Sequence, residues 1–224
     1  MGFTQETLDF LAENRIRGDK KWFHEHKSEY EKLVKAPFFE VCEALAETML
    51  SIDELLIVEP RKTLSRIYRD TRFSKDKSLY RSNMWILFIR DKRLSDGFPA
   101  FFFEIGLWGF HYGCGYYDAG NERMSIMRDM LIGGKPLAKK AFESFYNQDV
   151  FSLTGDKYKR SRYSQYDERM ADWLDRKSIC FLRRSDDFEM LYSDELIPML
   201  KRDFPLLKPE YEFLLSIESR RNNL

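Results

Sequence analysis

The hydrophobic period of this chain changes twice, and few folds accommodate both changes. Over the first 50 residues apolar side chains recur every three or four positions, as on one face of a helix. Thr4 is placed as an N-cap, with Glu6 in the favourable first turn, ahead of Leu8, Leu11 and Ala12. A second helix is predicted from about Asp19 to Val34 on the spacing of Trp22, Phe23, His26, Tyr30, Leu33 and Val34. Ala36-Pro37 is predicted to break it, because proline has no N–H to continue the ladder. A third helix then aligns Phe38, Val41, Cys42, Leu45 and Met49, and turns Glu40, Glu43 and Glu47 to water.

Between residues 60 and 118 the pattern becomes aromatic and β-branched. Thr63–Asp70, Met84–Arg90, Pro99–Trp108 and Gly109–Tyr117 read as strands, with Ser95-Asp96-Gly97 as a turn. Helical spacing returns after Asn121 through Met124, Met127 and Leu131, and ends at Gly133-Gly134. Lys135–Asn147 is predicted helical and Ile179–Arg183 extended. Ser193 caps a helix carrying Leu196, Ile197, Leu200 and Phe204 that stops at Pro205, and Pro209 opens a last short helix. The expected fold is α+β: an antiparallel sheet of about four or five strands in the middle of the chain, packed by N- and C-terminal helices. A single domain over residues 1–224 is expected, helical over 1–50, β-rich over 60–118 and mainly helical over 121–224.

The 224 residues carry 37 Lys and Arg against 37 Asp and Glu, so bulk charge gives no reason to coat nucleic acid or an anionic membrane. Hydrophobic residues at 43% suit a packed core and exclude a disordered chain. The longest nearly apolar run, Phe98 to Phe110 with Glu104 inside it, is 13 residues, short of the ~20 that cross a bilayer. The first residues show no basic stretch followed by an apolar one. Cys42, Cys114 and Cys180 are widely spaced and odd in number, which fits free thiols in a reducing compartment. A cytoplasmic protein with no membrane partner is expected; nothing predicts an oligomeric state.

The charge is unevenly spread. Residues 41–60 hold five carboxylates and no cation, whereas residues 61–81 hold eight cations and two carboxylates. The cations are Arg61, Lys62, Arg66, Arg69, Arg72, Lys75, Lys77 and Arg81, and the carboxylates are Asp70 and Asp76. On a strand, Arg66 and Tyr68 would face one side, and Ile67 and Arg69 the other. Arginine captures carboxylate or phosphate in a bidentate fork, and lysine adds compact charge. A pocket for a small anionic ligand is therefore expected, with Arg66, Arg69 and Arg72 as clamp, Lys77 as added charge and Tyr80 as donor. Asp70 and Asp76 would position the guanidinium groups. The competing expectation is a structural Arg–Asp network with no ligand.

The run Arg66-x-x-Arg69-Asp70-x-Arg72-Phe73-Ser74-x-Asp76-Lys77-x-x-Tyr80 resembles the signature of a bacterial and fungal family named domain of unknown function 2461. Trp22-Phe23 followed by Tyr30 is similar to that family's N-terminal element, and Lys159-Arg160 with Lys177 to its C-terminal one. The chain has Lys77-Ser78-Leu79-Tyr80 where the family often has Lys-x-Pro-Tyr, and Arg17-Gly18 where paired asparagines often precede the tryptophan. The resemblance implies an α+β domain and carries no established activity.

Two further features bear on function. In Gly109–Tyr117 one face carries Phe110, Tyr112, Cys114 and Tyr116, and the other Gly109, His111, Gly113, Gly115 and Tyr117. Three glycines on one face leave room for a helix or a ligand, and His111 stands there as the candidate acid–base residue. Lys157–Tyr163 interleaves cations with tyrosines, a pattern that can bind nucleic acid or close over the first cluster through Lys159 and Arg160. Nucleic-acid binding is thus the alternative to a small anion. His24 and His26 lie about 200° apart on a helix and cannot share an ion. With no metal spacing among the cysteines, no complete phosphate loop and no dinucleotide fingerprint, no metal and no cofactor are expected.

Overall fold

The computed structural model describes residues 2–72, 75–91, 93 and 97–221. Phe73 and Ser74 of the basic motif, and Ser95 and Asp96 of the expected turn, lie outside the described residues. The first helix, α1 (Gln5–Arg17), starts where expected, at Thr4, whose N–H donates to Thr7 Oγ1 at 3.1 Å. It ends at Gly18, whose φ of 57° is the left-handed conformation that glycine adopts without a Cβ clash. Asp19 caps α2 (Lys20–Glu25) through the N–H groups of Lys21 and Trp22. The expected single helix is interrupted at His26, where the Trp22 carbonyl meets both the His26 N–H and its Nδ1. The chain then runs through α3 (Lys27–Tyr30), a π-helical turn (Glu31–Lys35) and α4 (Ala36–Ile52).

Pro37 does not break this run. The helix widens ahead of it, and proline sits in the first turn of α4, where a missing N–H is tolerated. The Leu33 carbonyl, four residues before Pro37, instead accepts a hydrogen bond from the Thr7 hydroxyl at 2.7 Å. A buried side chain of α1 thereby replaces the donor that proline lacks.

After the short α5 (Pro60–Thr63) come β1 (Asn83–Phe88), β2 (Ala100–Gly106) and β3 (Gly109–Gly115), then α6 (Gly120–Ile132), α7 (Pro136–Tyr146) and β4 (Ser152–Thr154). The rest comprises α8 (Glu168–Leu174), β5 (Cys180–Ser185), α9 (Phe188–Tyr192), α10 (Leu196–Asp203), a 3-10 turn (Phe204–Leu207) and α11 (Lys208–Arg221). The five strands form an antiparallel sheet in the order β1-β2-β3-β5-β4, so the α+β architecture matches the sequence reading. α10 ends at Asp203, just ahead of Pro205, whereas the final helix, with Pro209 in its opening turn, is 14 residues long rather than short.

The expected strand Thr63–Asp70 is not formed. Among the described residues two isolated bridges, Leu64 to Ile86 and Tyr68 to Tyr80, hold this extended segment beside residues 79–86. Beyond Asp70 the carboxylates bind their own backbone, Asp70 taking the Arg72 N–H and Asp76 the Ser78 N–H, which competes with a ladder.

The chain divides into two compact units. The first comprises Met1–Phe88, Phe102–Tyr112 and Arg184–Arg202. In its core Phe3 packs against Phe38 (4.9 Å) and Phe103 (5.9 Å), with Val34, Val41, Leu45 and Ile86 buried. The second comprises Ile89–Phe101, Gly113–Arg183 and Asp203–Leu224. There Trp173 is buried among Phe142, Phe145, Phe181 and Phe213. Among the described residues no helix is long and apolar enough to cross a membrane.

Candidate functional site

Arg66 opens onto a cleft of about 320 Å3 in the first unit. Its walls come from the end of α3, the π-helical turn and α4 on one side (Tyr30, Lys35, Phe39) and from residues 61–68 on the other (Arg61, Ser65, Arg66, Tyr68). Lys35 Nζ is held by Glu31 at 2.5 Å and lies 5.4 Å from the Phe39 ring centroid. Arg61 and Arg66 are both exposed, and neither has a side-chain hydrogen bond or ion pair among the described residues. The field of Arg66 reaches Asp70, whose carboxyl is held well below the usual range mainly by its hydrogen bonds from Arg72. Burial pushes the Tyr30 hydroxyl up to about 12, so it stays a donor through the physiological range.

Arg69 points elsewhere. Its Nη2 lies 3.4 Å from Asp76, and the same Asp76 oxygen accepts from Arg15 Nη2 at 2.7 Å. Arg15 also donates to Ser78 Oγ (2.6 Å) and to the Tyr80 carbonyl (3.2 Å), so α1 clamps the far end of the basic loop. These bonds from Arg15 and Ser78 hold the Asp76 carboxyl well below its ordinary value. Arg72 pairs with Asp70 in an exposed two-residue fork at 2.6 Å, and Lys77 donates to the Thr71 carbonyl at 2.7 Å. Tyr80 is fully buried, its ring 5.0 Å from both Phe23 and Tyr68, and burial raises its hydroxyl. Of the residues expected around one anion, only Arg66 lines this cleft.

His111 sits in a row across three strands. Its Nε2 is 2.6 Å from Glu104 Oε2, while Glu104 Oε1 accepts from Asn83 Nδ2. A carboxylate can only accept, so Nε2–H is the donor of this pair. Trp108 stacks on the imidazole at 4.5 Å, and Phe102 meets it edge-on at 5.6 Å. The space expected beside the three glycines is taken by β5. A Cβ on Gly113 would lie 1.9 Å from the Phe181 carbonyl oxygen, and one on Gly109 2.2 Å from that of Ser185. Backbone of the neighbouring strand, and neither a helix nor a ligand, is what the missing side chains admit.

A family model described as a conserved hypothetical protein, DUF2461, matches residues 6–213. The chain belongs to this family. No curated protein matches it. The match runs through the elements just described, from α1 with Arg15 to α11. In the DUF2461 chain Lys159 and Arg160 lie in the second unit, both exposed. Around them the aromatic rings are already occupied: Arg162 lies 3.9 Å above Tyr158, and Arg128 lies 5.5 Å from the Tyr158 centroid and 5.9 Å from that of Tyr163. Asp175 fixes this loop through the Arg162 N–H at 2.8 Å.

Sequence reasoning missed Arg15, Lys35 and Phe39. Arg15 is separated from Asp76 by 61 residues, and nothing local marks the pairing. Lys35 and Phe39 looked like ordinary positions of two separate helices, since the π-helical turn that joins them has no composition of its own. Among the described residues no group of three His, Cys, Asp or Glu could hold a metal ion.

Proposed function

We propose that this DUF2461 chain binds a small anion, phosphate or carboxylate, in the cleft between Arg61, Arg66 and Lys35. The observation that carries the reading is two exposed guanidinium groups without an ion-pair partner among the described residues, on the wall of a cleft that a lysine also lines. Elsewhere in the same segment the arginines meet carboxylates, Arg69 with Asp76 and Arg72 with Asp70. An arginine fork suits a planar or tetrahedral oxyanion. The structural alternative applies to the other half of the motif, where Arg15, Arg69 and Asp76 form a network that ties the loop to α1.

Thermal-shift titration with inorganic phosphate and with dicarboxylates tests the reading. A ligand at about 100 times its dissociation constant adds ~2.7 kcal/mol, visible as a rise in Tm. The expected result is a rise in the native chain that is lost in both Arg66→Ala and Arg61→Ala. Equal rises in native and variant chains, or no rise with any anion, refute the proposal.

A further inference from the structure

The cleft is larger than one oxyanion and is lined by more than cations. About 320 Å3 lies at the small end of the usual range for organic ligands, and inorganic phosphate would fill only part of it. The remaining wall is mainly apolar, with three aromatic residues, Tyr30, Phe39 and Tyr68, beside Leu64 and Ile67. Tyr68 is 42% exposed, yet its ring is not loose. It packs edge-on against Phe23 at 5.8 Å and tilted against Tyr80 at 5.0 Å, while Tyr80 and Phe23 are themselves buried. A ring held on one side and open on the other is a preorganised stacking platform, since little further rotamer freedom is lost when a ligand lies on it.

The charges set the other half of the ligand. Glu31 already answers Lys35, whereas the guanidinium groups of Arg61 and Arg66 meet no carboxylate among the described residues and can meet a phosphate monoester of charge near minus two. We propose that the cleft takes a free mononucleotide, its phosphate held by Arg61 and Arg66 and its base stacked on Tyr68. This rests on the anion reading above and adds the ring. Free nucleotide is favoured over a polynucleotide because a cleft of about 320 Å3 has room for little more than one nucleotide, and the chain carries zero net charge to draw in a longer strand.

Calorimetric titration of the full chain with AMP, ribose 5-phosphate, adenosine, inorganic phosphate and a short oligoadenylate, at fixed salt, tests the assignment. AMP is expected to bind about tenfold or more tightly than ribose 5-phosphate, the advantage that one stacked base confers. Tyr68→Leu should remove that advantage and leave phosphate binding unchanged, whereas Tyr68→Phe keeps the ring and should keep the advantage. Arg66→Ala should weaken AMP and phosphate alike. Equal affinities for AMP and ribose 5-phosphate in the native chain overturn the nucleotide assignment while the anion reading stands. Adenosine binding as well as AMP, or oligoadenylate binding without AMP, also overturns it. If neither phosphate nor any phosphate ester binds, the anion reading itself falls. The native-chain comparison decides the matter even if Tyr68→Leu does not fold.

Discussion

The bond from Thr7 to the Leu33 carbonyl makes a quantitative claim about why the N-terminal helices accept a proline. Thr7 is 1% exposed, donates to Leu33 O at 2.7 Å and accepts from the Thr4 N–H at 3.1 Å. Thr7→Val keeps the shape of the side chain and removes both bonds, leaving a part-buried carbonyl without the hydroxyl that meets it. The cost of such a loss is about 1–3 kcal/mol. For a chain of this length a loss near the middle of that range lowers Tm by about 4–8 °C. The causal part of the claim is that Leu33 O needs Thr7 because residue 37 has no N–H. Pro37→Ala supplies one, so in that background Thr7→Val should cost about 1 kcal/mol less, the residual being the lost Thr4 bond. Urea unfolding of the native chain, both single variants and the double variant measures this coupling, provided the slope with denaturant is unchanged. Additivity within about 0.5 kcal/mol would show that Thr7 and Pro37 act independently, and the account of the π-helical turn would be wrong.

Two pH responses follow from single carboxyl groups. Glu210 on α11 is fully buried, and burial pushes its value up to about 7 against smaller opposing effects from its own backbone N–H, Ser144 and Lys140. The folded state therefore holds the proton more tightly than the unfolded state, and stability falls as pH rises from the ordinary glutamate range through about 7. Between about pH 5 and pH 8 the native chain should lose about 2–3 kcal/mol that Glu210→Gln keeps, measured by urea midpoints, and an equal loss in both refutes the assignment. Asp76 has the opposite sign. Its value is depressed by Arg15 and Ser78, so its contribution is fully present above the ordinary aspartate range of about 4 and is lost as pH falls below it. Asp76→Asn should therefore start less stable at neutral pH and lose less on acidification; parallel acid profiles for native chain and variant would count against the Arg15 clamp.

The parts of the fold visible in the sequence are those where local chemistry and tertiary demand agree. Thr4, Asp19 and Gly133-Gly134 mark helix ends, and the alternation of Met84–Arg90 and Gly109–Tyr117 gave β1 and β3 with small boundary errors. The three-residue β4 was invisible because it pairs only through Ser152, Leu153 and Thr154, too short for a period to register. Asp167 and Asp187 both cap short helices, α8 and α9, that carry too few apolar positions to announce themselves. The glycines of β3 showed that something must approach the backbone, and only the arrangement of β5 shows that the approaching group is another strand.

The basic segment shows how one dense run of charge can serve two purposes. Although residues 63–70 make no continuous ladder, they are extended, and extended chain sends alternate side chains to opposite sides. Arg66 and Tyr68 emerge at the cleft, Ile67 is buried and Arg69 is drawn back to Asp76. The alternation read from the sequence thus survives the loss of the strand that suggested it. Its consequence is that two arginines three positions apart should fail in different ways. Arg69→Ala removes a half-buried partner of Asp76 and should lower Tm while leaving phosphate affinity unchanged. Arg66→Ala breaks no ion pair among the described residues, so it should leave Tm nearly unchanged in the absence of ligand and abolish the rise that phosphate produces. If both variants lose stability equally and neither changes phosphate binding, the whole run is structural and the cleft has no part in holding an anion.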